Sequence, residues 1–472
     1  MIALKRFSNS TLGLLLCFAL GALAGAFAPP VGGFGFFVGQ LYLSLVNMAA
    51  VPLLVVAMFF GLRQLLLLSH PGLRIGTMVM LAAAVVVVCA AGGTVIGALV
   101  APGQHLSDAA HRQLGRLVLQ SASDAEELRV TLFGVNHTAA SATGLTLRDV
   151  VPDNFYQVLA SGNVLGILIG TILFGMAFAT LSGERTRVLH SVFESIYRSL
   201  EALIEYANLL LPVLAFGTAA HIAAQTEPAT LAAMSDFLVT FLGGAALLCA
   251  VTFAVIGARA RVSPGRLIAA MKPPLLVALT SGSATAPIPH TIEAMSTRLG
   301  FSRGIAELMV PFGSVFVRAG SALYFSLATA FIANLYDRPL SVGELLMTVV
   351  LASVAALVSA GRSGVAGIAC VGIVMSALQL PVEAAGVLLL AIDPICEGPR
   401  NVVSVLSVCA VVALVSAGLP AERAPLVDAG ARGDAAAVLR FAFTRAQLAV
   451  ASGCVMLAAA LIVLMGVGVG AK

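Results

Sequence analysis

The chain has 472 residues, 60% of them hydrophobic and only 10% charged, whereas soluble globular proteins carry about 25% charged residues. That composition excludes a soluble globular domain. The apolar runs are too long for barrel strands, so the chain is read as an all-α polytopic membrane protein. The net charge of +4 is small, and its basic residues fall mostly in short loops, where they act as orientation signals and not as a nucleic-acid footprint.

In chain order, Lys5 and Arg6 precede an apolar run that resembles a signal peptide. The run continues to Phe27 without a clear cleavage site, so an uncleaved first helix is expected. Apolar spans are predicted over 11–28, 36–66, 75–100, 155–182, 188–224 and 232–258. Several exceed the roughly 20 residues that cross a bilayer, so tilt, breaks or re-entry are expected. Residues 103–150 mix Arg112, Arg116, Arg129 and Arg148 with five acidic residues and read as one long external loop. Arg63, Arg74, Arg185, Arg187, Arg259, Arg261, Arg298 and Arg303 fall on one side of the membrane if the N-terminus is cytoplasmic.

Two segments, 264–299 and 341–378, are apolar at both ends and interrupted in the middle. The interruptions read Thr280-Ser281-Gly282-Ser283-Ala284-Thr285-Ala286-Pro287 and Ser359-Ala360-Gly361-Arg362-Ser363-Gly364-Val365-Ala366-Gly367. Backbone that leaves the helix at membrane depth must be buried in protein or line water, which re-entrant hairpins satisfy. The alternative is a pair of spans with glycine-rich kinks. Each hairpin is followed by an apolar span, 306–334 and 382–417, expected to be broken at Arg318 and near Arg400. Gly282 lies 36 residues before Arg318, and Gly364 lies 36 before Arg400. Matching hairpin-plus-broken-helix units in two halves point to a transporter's binding site. A linker over 419–445 and one further span over 446–469 complete the chain.

The chemistry concentrates in the last broken helix. Asp393, Glu397 and Arg400 are spaced four and three apart and share a helical face, which Ser404 extends. Ionisable groups at membrane depth are costly and read as functional. The plainer alternative is a structural ion pair of Glu397 with Arg400. The seven cysteines and seven histidines show no metal-ligand spacing, so the cysteines are packing residues and no metal or cofactor is expected. His290, after the first hairpin tip, is a candidate proton carrier. No nucleophile–base set appears, so the protein is not read as an enzyme.

Val310-Pro311-Phe312-Gly313 through Ser321-Ala322-Leu323-Tyr324, the tip at 281–283, Gly364-Val365-Ala366-Gly367, and Asp393 with Arg400 resemble the glutamate transporter homologues, the dicarboxylate/amino acid:cation symporter family. The resemblance covers about residues 10–418. It implies eight transmembrane helices and two re-entrant helical hairpins, so the span at 446–469 is an extra C-terminal helix. It also implies a homotrimer in the cell inner (plasma) membrane. Residues 1–258 then hold helices 1–6, the trimerisation scaffold and part of the moving transport domain, and 264–418 hold the transport core. By matching position, Arg400 is the substrate-carboxylate arginine, and Glu397 stands where an aspartate meets a substrate amino group. Ser281, Gly282 and Ser283 match the serine-rich tip, and Ser321 matches a substrate-lining threonine. Gly364, Asn401 and Ser404 belong to the same expected site.

The departures fall on the ion positions. The family's Asn-Met-Asp-Gly-Thr stretch reads Val317-Arg318-Ala319-Gly320-Ser321 here. The asparagine and aspartate expected late in the eighth helix fall on Ser404 and Val408, a threonine of the second hairpin falls on Arg362, and Ala82 to Val88 lacks hydroxyls. Sodium needs several oxygen ligands, which alanine and valine side chains do not offer. The familiar sodium sites are therefore expected to be absent. Arg318 and Arg362 are expected to supply permanent positive charge in their place, leaving about +1 to be balanced by a small anionic substrate. Burial favours the neutral carboxyl, so protonation of Glu397 or Asp393 is one route to coupling. The expected function is secondary transport of a dicarboxylate or acidic amino acid, coupled to protons or exchange. The alternatives are an anion channel or substrate sensor that keeps the fold, and a conventional sodium symporter. In a plainer variant, Arg318 is locked in a static pair with Glu397 and Arg362 reaches the wet edge of its hairpin.

Overall fold

The computed structural model describes residues 11–27, 29–66, 71–104, 112–116, 164–179, 183–207, 210–225, 228–283, 285–359 and 365–416, with residues 118, 154, 156 and 159. Most of the expected external loop, the linker at 419–445, the span at 446–469, and Arg362 and Gly364 lie outside the described residues. Among the described residues every regular element is helical and none is a strand.

The first part holds α1 (Thr11–Phe27), α2 (Pro29–Leu66), α3 (Pro71–Val100), α4 (Val164–Ala179), α5 (Gly183–Ala207), α6 (Leu211–Gln225), α7 (Pro228–Ala233) and α8 (Ser235–Ala260). The expected span 188–224 is two helices, α5 and α6. Pro212 sits in the first turn of α6, where its missing N–H costs nothing, and it cannot continue a preceding helix. Helix α2 packs against α1, α4, α5 and α6 and also against α11 of the later part, whereas α3 and α8 pack mainly on the later helices. Gly21 and Gly25 of α1 face the backbone of α6 so closely that a Cβ at either would meet the Phe216 or Ala220 carbonyl oxygen at 2.2 and 2.0 Å. This small-residue spacing of four lets two helices approach without side chains between them.

The second part begins with α9 (Pro264–Ser281), started by Pro264, and α10 (Ile288–Glu293), which runs into a single π-turn at Ala294–Arg298. Between them Gly282 takes φ +59°, a left-handed conformation that glycine adopts without strain. Next come α11 (Arg303–Phe316) and α12 (Ala319–Leu335), parted by Val317 and Arg318. The second interrupted segment gives α13 (Val342–Val358), α14 (Val365–Ile368) and α15 (Val371–Ala377). Ser341 and Glu344 form a capping box at the start of α13. Arg338 donates to Glu344 Oε1 at 3.0 Å and also to the Leu378 carbonyl, tying the two ends of this segment together.

The last helix, α16 (Val382–Val415), is continuous although Pro394 and Pro399 lie inside it. The expected break near Arg400 is thus not a break in the helix. The prolines remove N–H donors for the carbonyls of Leu390 and Ile395, while α16 is held in line by α8, α9, α11 and α12 around it.

Among the described residues, five helical stretches are long and apolar enough to cross a membrane: Leu41–Leu62, Gly72–Val100, Ser235–Ala260, Arg303–Leu335 and Ala384–Val415. The stretch Arg303–Leu335 is 89% buried, against 33% for Gly72–Val100 and 28% for Ser235–Ala260. The interrupted helix therefore lies in the centre, and α3 and α8 carry the outer apolar surface.

Candidate functional site

The candidate site forms where α16 meets the α11–α12 break and the tip between α9 and α10. Gly320, in the first turn of α12, sits on α16: a Cβ there would lie 2.0 Å from the Arg400 carbonyl oxygen. Its N–H donates to Ser404 Oγ at 3.1 Å, and Ser404 Oγ donates to the Arg400 carbonyl at 2.9 Å. One serine thus stitches the break to α16, two residues after Arg318. On the other side of α16, Gly398 backs onto the α9 tip, where a Cβ would meet the Leu279 carbonyl oxygen at 2.4 Å.

These contacts fix the arginine. Arg400 is 8% exposed and forms an ion pair with Asp393, 3% exposed, two helical turns earlier. Its guanidinium carbon lies 4.5 Å from the ring centroid of Tyr324. Phe237 and Phe241 of α8 box that ring in edge-on contacts at 5.7 and 5.3 Å. A buried guanidinium held by one carboxylate and one aromatic face keeps donor capacity for a second carboxylate. Tyr324 was not among the site residues expected from sequence. Its position three residues after Ser321, on the same helical face, is the signal that points to it.

Glu397 does not pair with Arg400 or with Arg318. Its carboxylate lies against the α9 tip, where a Cβ built on Gly282 would be 3.5 Å from Oε2. The plainer sequence readings, an Arg400–Glu397 or an Arg318–Glu397 lock, are therefore not what forms. At the tip Ser281 Oγ accepts the Ser283 N–H at 3.2 Å, and the Ser283 and Thr285 hydroxyls lie 3.0 Å apart. Ser321 is buried in the first turn of α12. Arg318 has Arg400, Glu397 and Cys370 as electrostatic neighbours, so the fold gathers these charges. Its Nε and the Nδ2 of Asn401 are buried without a hydrogen-bond partner among the described residues.

Of the positions where sodium ligands are missing, several are apolar and buried. Val317 and Ala319 are fully buried, as are Val408 and, on α3, Val86 to within a few per cent. A Cβ on Gly313 would meet Val408 Cγ2 at 2.6 Å. Among the described residues, no group of three or more His, Cys, Asp or Glu is placed to hold a metal. His290 is buried with Nε2 unpartnered among the described residues.

With this geometry in view, residues 11–418 match the family model described as the sodium:dicarboxylate symporter family. The chain is similar to C4-dicarboxylate transport protein 3 of Bradyrhizobium diazoefficiens, 28% identical over 75% of this chain and 76% of the relative. It is also similar to the C4-dicarboxylate transport protein of Sinorhizobium fredii, 26% identical over 87% and 80% respectively. C4-dicarboxylate transport protein 1 of Ralstonia nicotianae is 25% identical over 89% of this chain and 95% of its own length.

Proposed function

Since the chain belongs to the sodium:dicarboxylate symporter family, a family of membrane transporters and not of enzymes, we propose that it carries a small organic dianion across the cell inner membrane without sodium coupling. A C4-dicarboxylate is the substrate class, because the relatives are named for it. The observation that carries the reading is the buried Arg400 guanidinium, held by Asp393 and Tyr324 beside the Gly282 tip and Glu397. In this reading Arg400 takes one carboxylate by two parallel hydrogen bonds. Ser281, Gly282, Ser283, Ser321 and Ser404 shape the pocket, with Asn401 and, from the second hairpin, Gly364. Arg318 and Arg362 stand in for bound cations, and protons or exchange supply the coupling. The working assembly is a homotrimer of eight transmembrane helices and two re-entrant hairpins per copy, its N-terminus cytoplasmic.

The apolar filling at Val317, Ala319 and Val408 supports the loss of sodium sites, since a hard cation gains nothing from valine or alanine side chains. Uptake of labelled succinate and aspartate into proteoliposomes tests the proposal. Accumulation of succinate above its equilibrium level is expected, which a channel or a sensor does not produce. Arg400→Ala should abolish it, and unchanged uptake in that variant would refute the site.

A further inference from the structure

A small, partly open cavity of ≈ 20 Å³, room for one small ion or water, lies between α10, α11 and α16, beside the α11–α12 break. Its polar lining is Thr291, Ser314, Arg318, Asn401 and Ser404, and no carboxylate lines it. Arg400, Asp393, Glu397 and Tyr324 are not part of its wall; it adjoins the pocket proposed for the substrate, with which it shares Asn401 and Ser404.

The hydrogens available inside it can be accounted for. Thr291 Oγ1 donates to the Pro287 carbonyl at 2.8 Å, Ser314 Oγ to Pro311 at 2.7 Å, and Ser404 Oγ to Arg400 at 2.9 Å. These three hydroxyl hydrogens are committed to backbone oxygens. Two fully buried donors, Arg318 Nε and Asn401 Nδ2, have no partner among the described residues. Arg318 also has no ion pair with a described residue, and its electrostatic neighbours include both Arg400 and Glu397. Buried donors left unmatched are costly, most of all on a charged group. A cation is repelled by the fixed guanidinium. The group that satisfies both donors and the charge is a small anion.

We propose that the Arg318–Asn401 cavity is a second anion site, sized for a halide ion or a single carboxylate group. The site sits where the family resemblance puts cation ligands, and a fixed arginine there favours an ion of the opposite sign. The anion has two sources, a free halide or the far carboxylate of a substrate already held elsewhere.

Melting of the purified full-length protein tests this. Its buried free cysteines report unfolding to a thiol-reactive dye. Choline chloride is titrated against the choline salt of a bulky sulfonate, with no dicarboxylate present. The wild type should be stabilised by chloride and not by the sulfonate. Asn401→Asp puts a carboxylate beside Arg318, and it should melt higher without salt and lose the chloride response. Arg318→Met should raise the half-saturating chloride concentration roughly ten-fold or more. Arg400→Ala should keep the chloride response, which distinguishes binding at Arg318 from binding at Arg400 even if no dicarboxylate is transported. Succinate then identifies the source: additive stabilisation by succinate and chloride assigns the cavity to the free ion, and competition assigns it to the substrate's far carboxylate. An identical chloride response in wild type and Asn401→Asp, or no response to chloride or succinate in the wild type, overturns the proposal and leaves water as the occupant.

Discussion

Arg400 depends on its neighbours at the level of single atoms. Its only ion-pair partner among the described residues is Asp393, and both are buried. Removing one member of a buried pair typically costs about 3–5 kcal/mol, because the other charge is left uncompensated. Asp393→Asn should therefore lower the melting temperature, and succinate should restore part of the loss by supplying a carboxylate; thermal melts with and without succinate check both effects. Tyr324 offers its ring and not its hydroxyl, which has no partner among the described residues. Tyr324→Phe should keep uptake close to wild type. Tyr324→Leu removes a desolvated cation–π contact worth about 2 kcal/mol and should raise the half-saturating succinate concentration by up to roughly thirty-fold. Equal uptake kinetics in the two variants would show that the ring is only packing. Part of this was legible in the sequence: three charges within eight residues of an apolar run mark a face. Which carboxylate pairs with which arginine was not. The three-residue spacing favours Glu397, but the long arginine side chain reaches back two turns to Asp393, and Glu397 lies against the Gly282 tip.

Among the elements, the interruptions are the informative features. The segments at 264–299 and 341–378 were readable as interrupted helices because small polar residues break each apolar run in its middle. The continuity of α16 was not readable, since two prolines in eleven residues ordinarily end a helix. Neighbouring helices on several sides override that tendency, which no local pattern records. The contacts of Gly320 with Arg400 and of Gly398 with Leu279 are likewise long-range. Gly320→Ala should displace the α11–α12 break from α16 and abolish uptake while leaving membrane insertion intact, as a transport assay on correctly sized detergent-purified protein would register. At the second interrupted segment, Ser341→Ala removes the cap of α13, an effect of about 1 kcal/mol. Hydrogen exchange should then speed up in the first turn of α13 and leave α12 unchanged.

Taken whole, α2 gathers α1, α4, α5 and α6 and also packs on α11, which joins this group to the interrupted α11–α12 unit and α16. The large exposed apolar side chains of α3 and α8, such as Leu99, Val239 and Leu247, fit a bilayer or a neighbouring copy and not water. Mass measurement in native lipid is expected to give three copies per particle. The central claim concerns energy coupling: arginine side chains, fixed in the chain, have replaced the dissolved metal ions that drive the family. The most direct measurement is the initial rate of labelled succinate uptake into proteoliposomes under an imposed pH gradient, with all sodium replaced by choline. The rate should be the same as with sodium present. Uptake that vanishes without sodium and rises with an inward sodium gradient would contradict it.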